Sequence, residues 1–192
     1  SRVLVEGIHI RDAKVGVDAK SNAEAGIMLR WQDAGNFLLA IYANGGVYFH
    51  EVVKGNYGPF LDFVPTPGLH ENVHVVAEVQ GAEAVLTVND GTKTATTNHV
   101  VAGTFSGEAV GLFHNGVPAQ RFDNLRIADP QGNIVFEDAF DKPDGAASGW
   151  ILVDTGAGGP NDYPIYRRES VRGDRAPMVT KTRYVLGRHI AG

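Results

Sequence analysis

The most constraining feature of this sequence is its punctuation. Apolar residues recur with a period of two in short runs, and each run is closed by a cluster of Gly, Asn, Asp or Pro. No segment longer than about ten residues carries the 3.6-residue apolar period of an amphipathic helix. Val73, Val75, Ala77 and Val79 alternate with His74 and Glu78, so one side of that run faces a core and the other faces water. Asn89-Asp90-Gly91 and Asn44-Gly45-Gly46 are hairpin signals, because these residues tolerate the positive φ that tight turns demand. Between such turns the sequence predicts a meander of three strands (25–31, 37–42 and 47–53) and further strands at 85–88, 92–97, 109–114 and 121–127. Segment 54–68, with Gly55, Gly58, Pro59, Pro65 and Pro67, reads as loop. The 24 glycines and 9 prolines are what many short strands joined by tight turns require. The expectation for residues 1–128 is an all-β, antiparallel sandwich.

Residues 129–192 have a different texture. Ile134-Val135-Phe136 reads as a short strand and 178–190 as one more, but 137–177 is rich in Asp, Gly, Pro and Arg, with few apolar anchors. That is too little apolar surface for a second core, so this loop-rich C-terminal segment is expected to complete or cover the sandwich as part of a single domain. Ser1-Arg2-Val3-Leu4-Val5 is neither a signal peptide nor a methionine start, and the expectation is a piece of a longer polypeptide. A net charge of −5 without a basic run argues against nucleic acid as a partner, and no apolar run is long enough for a helical membrane span. With no cysteine, disulfides, thiolate metal sites and cysteine nucleophiles are excluded together.

Three motifs carry a family resemblance. Ala25-Gly26-Ile27-Met28-Leu29-Arg30 with Asp33 and Asn36-Phe37 is the first. Gly111-Leu112-Phe113 leading to Phe122-Asp123-Asn124-Leu125-Arg126-Ile127 is the second, and Phe136-Glu137-Asp138-Ala139-Phe140 with Gly149-Trp150 is the third. Together they resemble the concanavalin A-like, laminin-G-like jelly-roll superfamily. In that superfamily the D-x-F strand opens the domain and lies beside the FDN strand that closes it, whereas here it follows. An out-of-phase cut from a tandem array, a circular permutation and a strand supplied from the other end all remain open. Each places residues 134–140 against 122–127.

The resemblance implies a structural Ca²⁺ held by Asp123 and Asp138, whose strand ends offer the oxygen cage a hard cation needs. The plain alternative is that Asp123 caps its own turn and Asp138 is solvated. Sugar recognition takes flat aromatic faces and planar polar groups, and the candidates are Arg30, Trp31, Tyr48, His50, Tyr57 and Asn115, with Arg121 at the margin. For the aromatics the alternative is packing, and for Arg30 an ion pair with Glu51 or Glu78. The seven histidines show no short metal-ligand spacing; His50, His74 and His114 are the trio that long-range assembly could join.

No catalytic residue is assigned. The E-x-D-x-x-E strand of jelly-roll glycosidases and the Q-I-H strand of jelly-roll lyases are both missing, as are nucleophile-elbow and phosphate-loop motifs. The resemblance implies a non-catalytic carbohydrate-binding or accessory domain of a larger secreted or surface protein, bacterial in origin, binding a poly- or oligosaccharide. The basic cluster Arg167-Arg168, Arg172, Arg175, Lys181, Arg183 and Arg188 is interspersed with Glu169 and Asp174. It reads as a solvated loop or as a contact with an acidic polysaccharide or with neighbouring domains of the same polypeptide, the last being favoured because the segment is poor in apolar anchors. The alternatives are a jelly-roll glycan hydrolase or lyase using His50, Arg30, Tyr48 and Glu78, and a structural or adhesive repeat.

Overall fold

Each alternating run can bury only one face, so the runs pair edge to edge into sheets and the sheets stack. The computed structural model describes residues 2–20, 24–43, 45–67, 72–114, 121–140, 150–154, 165–169 and 183–187, among which there is no helix. In chain order the strands are β1 (Arg2–Val5), β2 (Ala13–Lys20), β3 (Ala25–Asp33), β4 (Asn36–Ala43), β5 (Gly46–Val52), β6 (Leu61–Pro65), β7 (Asn72–Gln80) and β8 (Glu83–Asn89). They continue with β9 (Thr94–Val100), β10 (Ala109–His114), β11 (Arg121–Ala128), β12 (Ile134–Asp138), β13 (Trp150–Asp154), β14 (Ile165–Glu169) and β15 (Arg183–Gly187). A seven-stranded antiparallel sheet runs β13-β1-β10-β3-β4-β5-β6, and a six-stranded one runs β12-β11-β2-β7-β8-β9.

The two sheets differ in how they use their faces. Val15, Val17, Ile27, Leu29, Phe49, Leu86 and Ile127 belong to the core between them. On the other side of the seven-stranded sheet, Met28, Trp31, Phe37, Leu39, Ile41 and Tyr48 make a second apolar cluster. Strands β3 to β5 therefore bury residues of both parities, which is why 25–31 is an unbroken buried run. In the six-stranded sheet, β7 buries one parity only, with His74 exposed between buried Val73 and Val75.

The late segment supplies a strand to each sheet. β12 pairs with β11, matching Asp138 to Leu125 and Phe136 to Ile127, and β13 pairs with β1. β15, in the stretch expected to add one more strand, pairs with β14 in a separate two-stranded sheet.

One sequence expectation is corrected here. Within the segment read as loop, β6 pairs with β5 at the sheet edge, joining Val47 to Val64 and Phe49 to Leu61. Proline is tolerated on an edge strand because its outward side has no ladder bond to make, so the composition that suggests loop equally suits this edge.

Candidate functional site

An aromatic platform occupies the outer face of β5 and β6. Gly46, Tyr48 and His50 share that face because alternate strand residues point the same way. Tyr48 is buried, and Phe60 lies over it with ring centroids 4.4 Å apart and planes 31° from parallel. Phe63 lies over Gly46, where any Cβ would overlap its ring. Phe60 and Phe63 are themselves 6.4 Å apart and 26° from parallel. That separation follows from their seats, since residues i and i+2 of a strand are about 6.6 Å apart. Phe60 is 58% exposed, Phe63 47% and Tyr57 36%, so each ring is held from beneath and open above.

The polar groups under the platform fix it in place. His50 Nδ1 donates toward the carbonyl oxygens of Tyr57 (2.8 Å) and Pro59 (3.1 Å), pinning the loop that carries Tyr57 and Phe60. The Tyr48 hydroxyl donates to Glu24 Oε1 at 2.9 Å. Burial, and after it the hydrogen bond and charge of Glu24, push the Tyr48 phenol well above the ordinary tyrosine range. From below, His99 braces β6. Its Nδ1 meets Asp62 at 2.7 Å, its Nε2 meets Glu51 at 3.1 Å, and its ring stacks on Phe49. Thr97 Oγ1 adds a hydrogen bond to the Asp62 carbonyl.

Of the sugar-binding candidates, Tyr48, His50 and Tyr57 are brought together here. Tyr48 and His50 support the platform, and Tyr57 forms part of its surface. Trp31 is 8% exposed, packed 4.6 Å from Phe37 under the guanidinium of Arg2, so it is a packing residue. Arg30 is 2% exposed at a bulge with φ 49°. Its partner is neither Glu51 nor Glu78 but Asp12, at 2.7 Å, joined by the Gly81 carbonyl. Burial alone would raise the Asp12 carboxyl. The Gly81 amide, the Arg30 hydrogen bond and the charges of Arg30 and Arg11 outweigh it and hold Asp12 below the usual carboxylate value. Asn115 lies outside the described residues, as do Arg172, Arg175, Lys181 and Arg188 of the basic cluster; Arg121, Arg167, Arg168 and Arg183 are described by backbone only. Phe60 and Phe63 were not among the sequence candidates, although two aromatics three residues apart between Pro59 and Pro65 were visible.

The four-residue catalytic set does not converge. Arg30 is committed to Asp12, and Glu78 points outward from the other sheet, paired with Lys14 at 3.2 Å. The histidine trio is likewise divided, with His50 and His114 in the seven-stranded sheet and His74 on the outside of the six-stranded one. Asp123 and Asp138 lie on neighbouring strands. Asp138 is 4% exposed and accepts the Phe140 amide at 2.9 Å, and Asp123 accepts the Asn124 amide at 3.0 Å. Among the described residues, no group of three or more His, Asp or Glu side chains is gathered so as to hold a metal.

Two stacked antiparallel sheets of these orders define the class: an all-β jelly-roll sandwich. No protein-family model matches the chain, and no curated protein matches it in sequence. Among solved structures, the chain is similar to the carbohydrate-binding module CBM66 from Bacillus subtilis, with a TM-score of 0.52 and 18% sequence identity. The match covers 66% of this chain and 81% of that one. At that identity the likeness shows the shared sandwich fold.

Proposed function

We propose that this chain is a saccharide-binding module of the concanavalin A-like kind, with Phe60, Phe63 and Tyr57 as its contact surface. The observation that carries this reading is the pair of nearly parallel, outward-facing phenyl rings seated on Tyr48 and Gly46. A pyranose or furanose ring has an apolar C–H face that stacks on such a surface, and the ring spacing is on the scale of one monosaccharide unit. The platform is prearranged, so binding orders little of the protein. The resemblance to a carbohydrate-binding module supports the same ligand class, and a module of this kind works at the cell surface or outside it, where polysaccharides are met.

Affinity electrophoresis against a panel of neutral and acidic polysaccharides tests the reading. Retention is expected on at least one, and Phe60→Ala with Phe63→Ala weakens it clearly while the melting temperature stays near that of wild type. Absence of retention on every gel, or retention unchanged in the double variant, overturns it. A structural Ca²⁺ at Asp123 and Asp138 belongs to the proposal as its second part. Its support is the adjacency of their strands. Its test is thermal unfolding in calcium against chelator, where equal melting temperatures overturn it.

A further inference from the structure

On the outward face of the six-stranded sheet we infer a second binding groove, for a neutral, hydroxyl-rich chain. It stands on residues that the platform does not use. The FDN motif supplies its first part. A register shift in β11 between Asp123 and Arg126 leaves Asn124 at φ 53°, a backbone position that asparagine tolerates better than most residues. From there Asn124 Nδ2 donates to Asp18 Oδ2 at 2.7 Å, while Asp18 Oδ1 accepts from His74 Nδ1 at 2.7 Å. One carboxylate thus locks an amide and an imidazole from the strands on either side of it. With Nδ1 committed to the carboxylate, the ring turns Nε2 outward, where it can meet a hydroxyl, which both donates and accepts.

That nitrogen leans over Gly16. A Cβ at Gly16 would meet His74 Nε2 at 3.4 Å and Val76 at 4.0 Å, so crowding does not demand glycine there, and its φ is not in the left-handed range. Glycine inside a strand weakens the strand, and its use here leaves the sheet floor bare beneath that nitrogen. The floor opens into a hollow of about 660 Å³, bordered by Lys14, Val76, Arg126 and Glu137. On the other side of the Asp18–His74–Asn124 bridge is a second hollow of about 420 Å³, bordered by Asp90 and Asp123. His74 and Asn124 wall both hollows. Two hollows sharing a hydrogen-bonding wall suit successive units of one chain ligand.

Charge selects the class. Among the described side chains beside the larger hollow, Lys14 is paired with Glu78 and Arg126 with Glu137, and Asp138 adds a further carboxylate. Among the described side chains, the smaller hollow carries Asp18, Asp90 and Asp123 against Lys20. Acidic chains are repelled, whereas hydroxyls can both donate to and accept from these groups.

The test is a backbone-amide NMR titration of the full chain, in chelator so that Asp123 and Asp138 carry no calcium, with neutral oligosaccharides (gluco-, xylo-, manno- and fructo-series) and with an oligouronate. Saturable shifts are expected at Gly16, His74 and Asn124 with a neutral series and not with the oligouronate. Gly16→Val, which fills the floor with a strand-favouring residue, is expected to weaken that binding at least about tenfold, and His74→Ala to do the same. Shifts at Phe60 and Phe63 alone, groove shifts that survive both variants, or an equal response to the oligouronate overturn the groove. Groove shifts in the wild-type chain with no shift at Phe60 or Phe63 support the groove and overturn the platform. No shifts with any probe overturns both.

Discussion

Phe63 packs over Gly46, across the β5–β6 pair, and its ring occupies the space that any side chain at position 46 would fill. The glycine is required by the ring above it, since its own φ lies outside the left-handed range. Gly46→Ala is therefore expected to lift Phe63 from its seat. Saccharide affinity falls by about tenfold or more, and overpacking against the ring and the Val64 carbonyl costs about 1–3 kcal/mol. Affinity gels and urea unfolding of the same variant separate the two effects.

Arg30 and Asp12 give a prediction about acid. Removing the carboxylate in Asp12→Ala leaves a buried guanidinium poorly compensated, which costs about 3 kcal/mol, the low end for such pairs because the Asp12 side chain is 31% exposed. The folded protein holds the Asp12 carboxyl below its unfolded value. Its stabilisation is thus complete above the unfolded pKa of about 3.9 and is lost as pH falls through the folded value. Urea midpoints measured between pH 7 and pH 2.5 are expected to fall less steeply in Asp12→Asn than in wild type.

Tyr48 makes the opposite prediction, at high pH. Its phenol is raised by burial and by Glu24, so the neutral form is the one the fold favours. That contribution is fully present below the unfolded tyrosine pKa of about 10 and is lost as pH rises toward the folded value. Ultraviolet titration should show one tyrosine whose ionisation is delayed until the protein unfolds, and Tyr48→Phe should remove that late step. Glu24→Gln should bring the step to lower pH without abolishing the delay, because burial remains.

His99 joins the edges of the two sheets, reaching from β9 to Glu51 on β5 and Asp62 on β6. His99→Ala removes two charge-facing contacts and the stack on Phe49, at a cost of about 1–3 kcal/mol. Hydrogen exchange is expected to quicken first at the amides of β6, the strand that carries Phe63, and little in β7. Equal acceleration throughout would show that His99 contributes to general stability only.

Much of the architecture was readable from local pattern. The meander of β3 to β5, the alternation of β7 and the turn after β8 follow from spacing between neighbours in the chain, and so does the placing of Ile134–Asp138 beside β11 once the motifs are in view. Strand β6 was not readable, because its prolines signal loop and only its edge position makes them acceptable. Tyr48, His50 and Tyr57 were reached from sequence as polar aromatics. Phe60 and Phe63 were passed over because phenylalanine reads as core until exposure is known. The partner of Arg30 is not legible in the sequence, since a bulge turns that side chain toward Asp12 in the loop before β2, away from Glu51 and Glu78.

The order of residues, taken alone, determines that this chain pairs as strands, where most of its turns fall and which parity of β7 is wet, because those properties depend on neighbours two to four positions apart. Tertiary structure alone decides that Phe63 rests on Gly46, that Arg30 answers Asp12 and that Asp18 binds both His74 and Asn124. Each of these depends on the register and stacking of strands distant in sequence, and a periodic pattern holds no information about which strand becomes its neighbour.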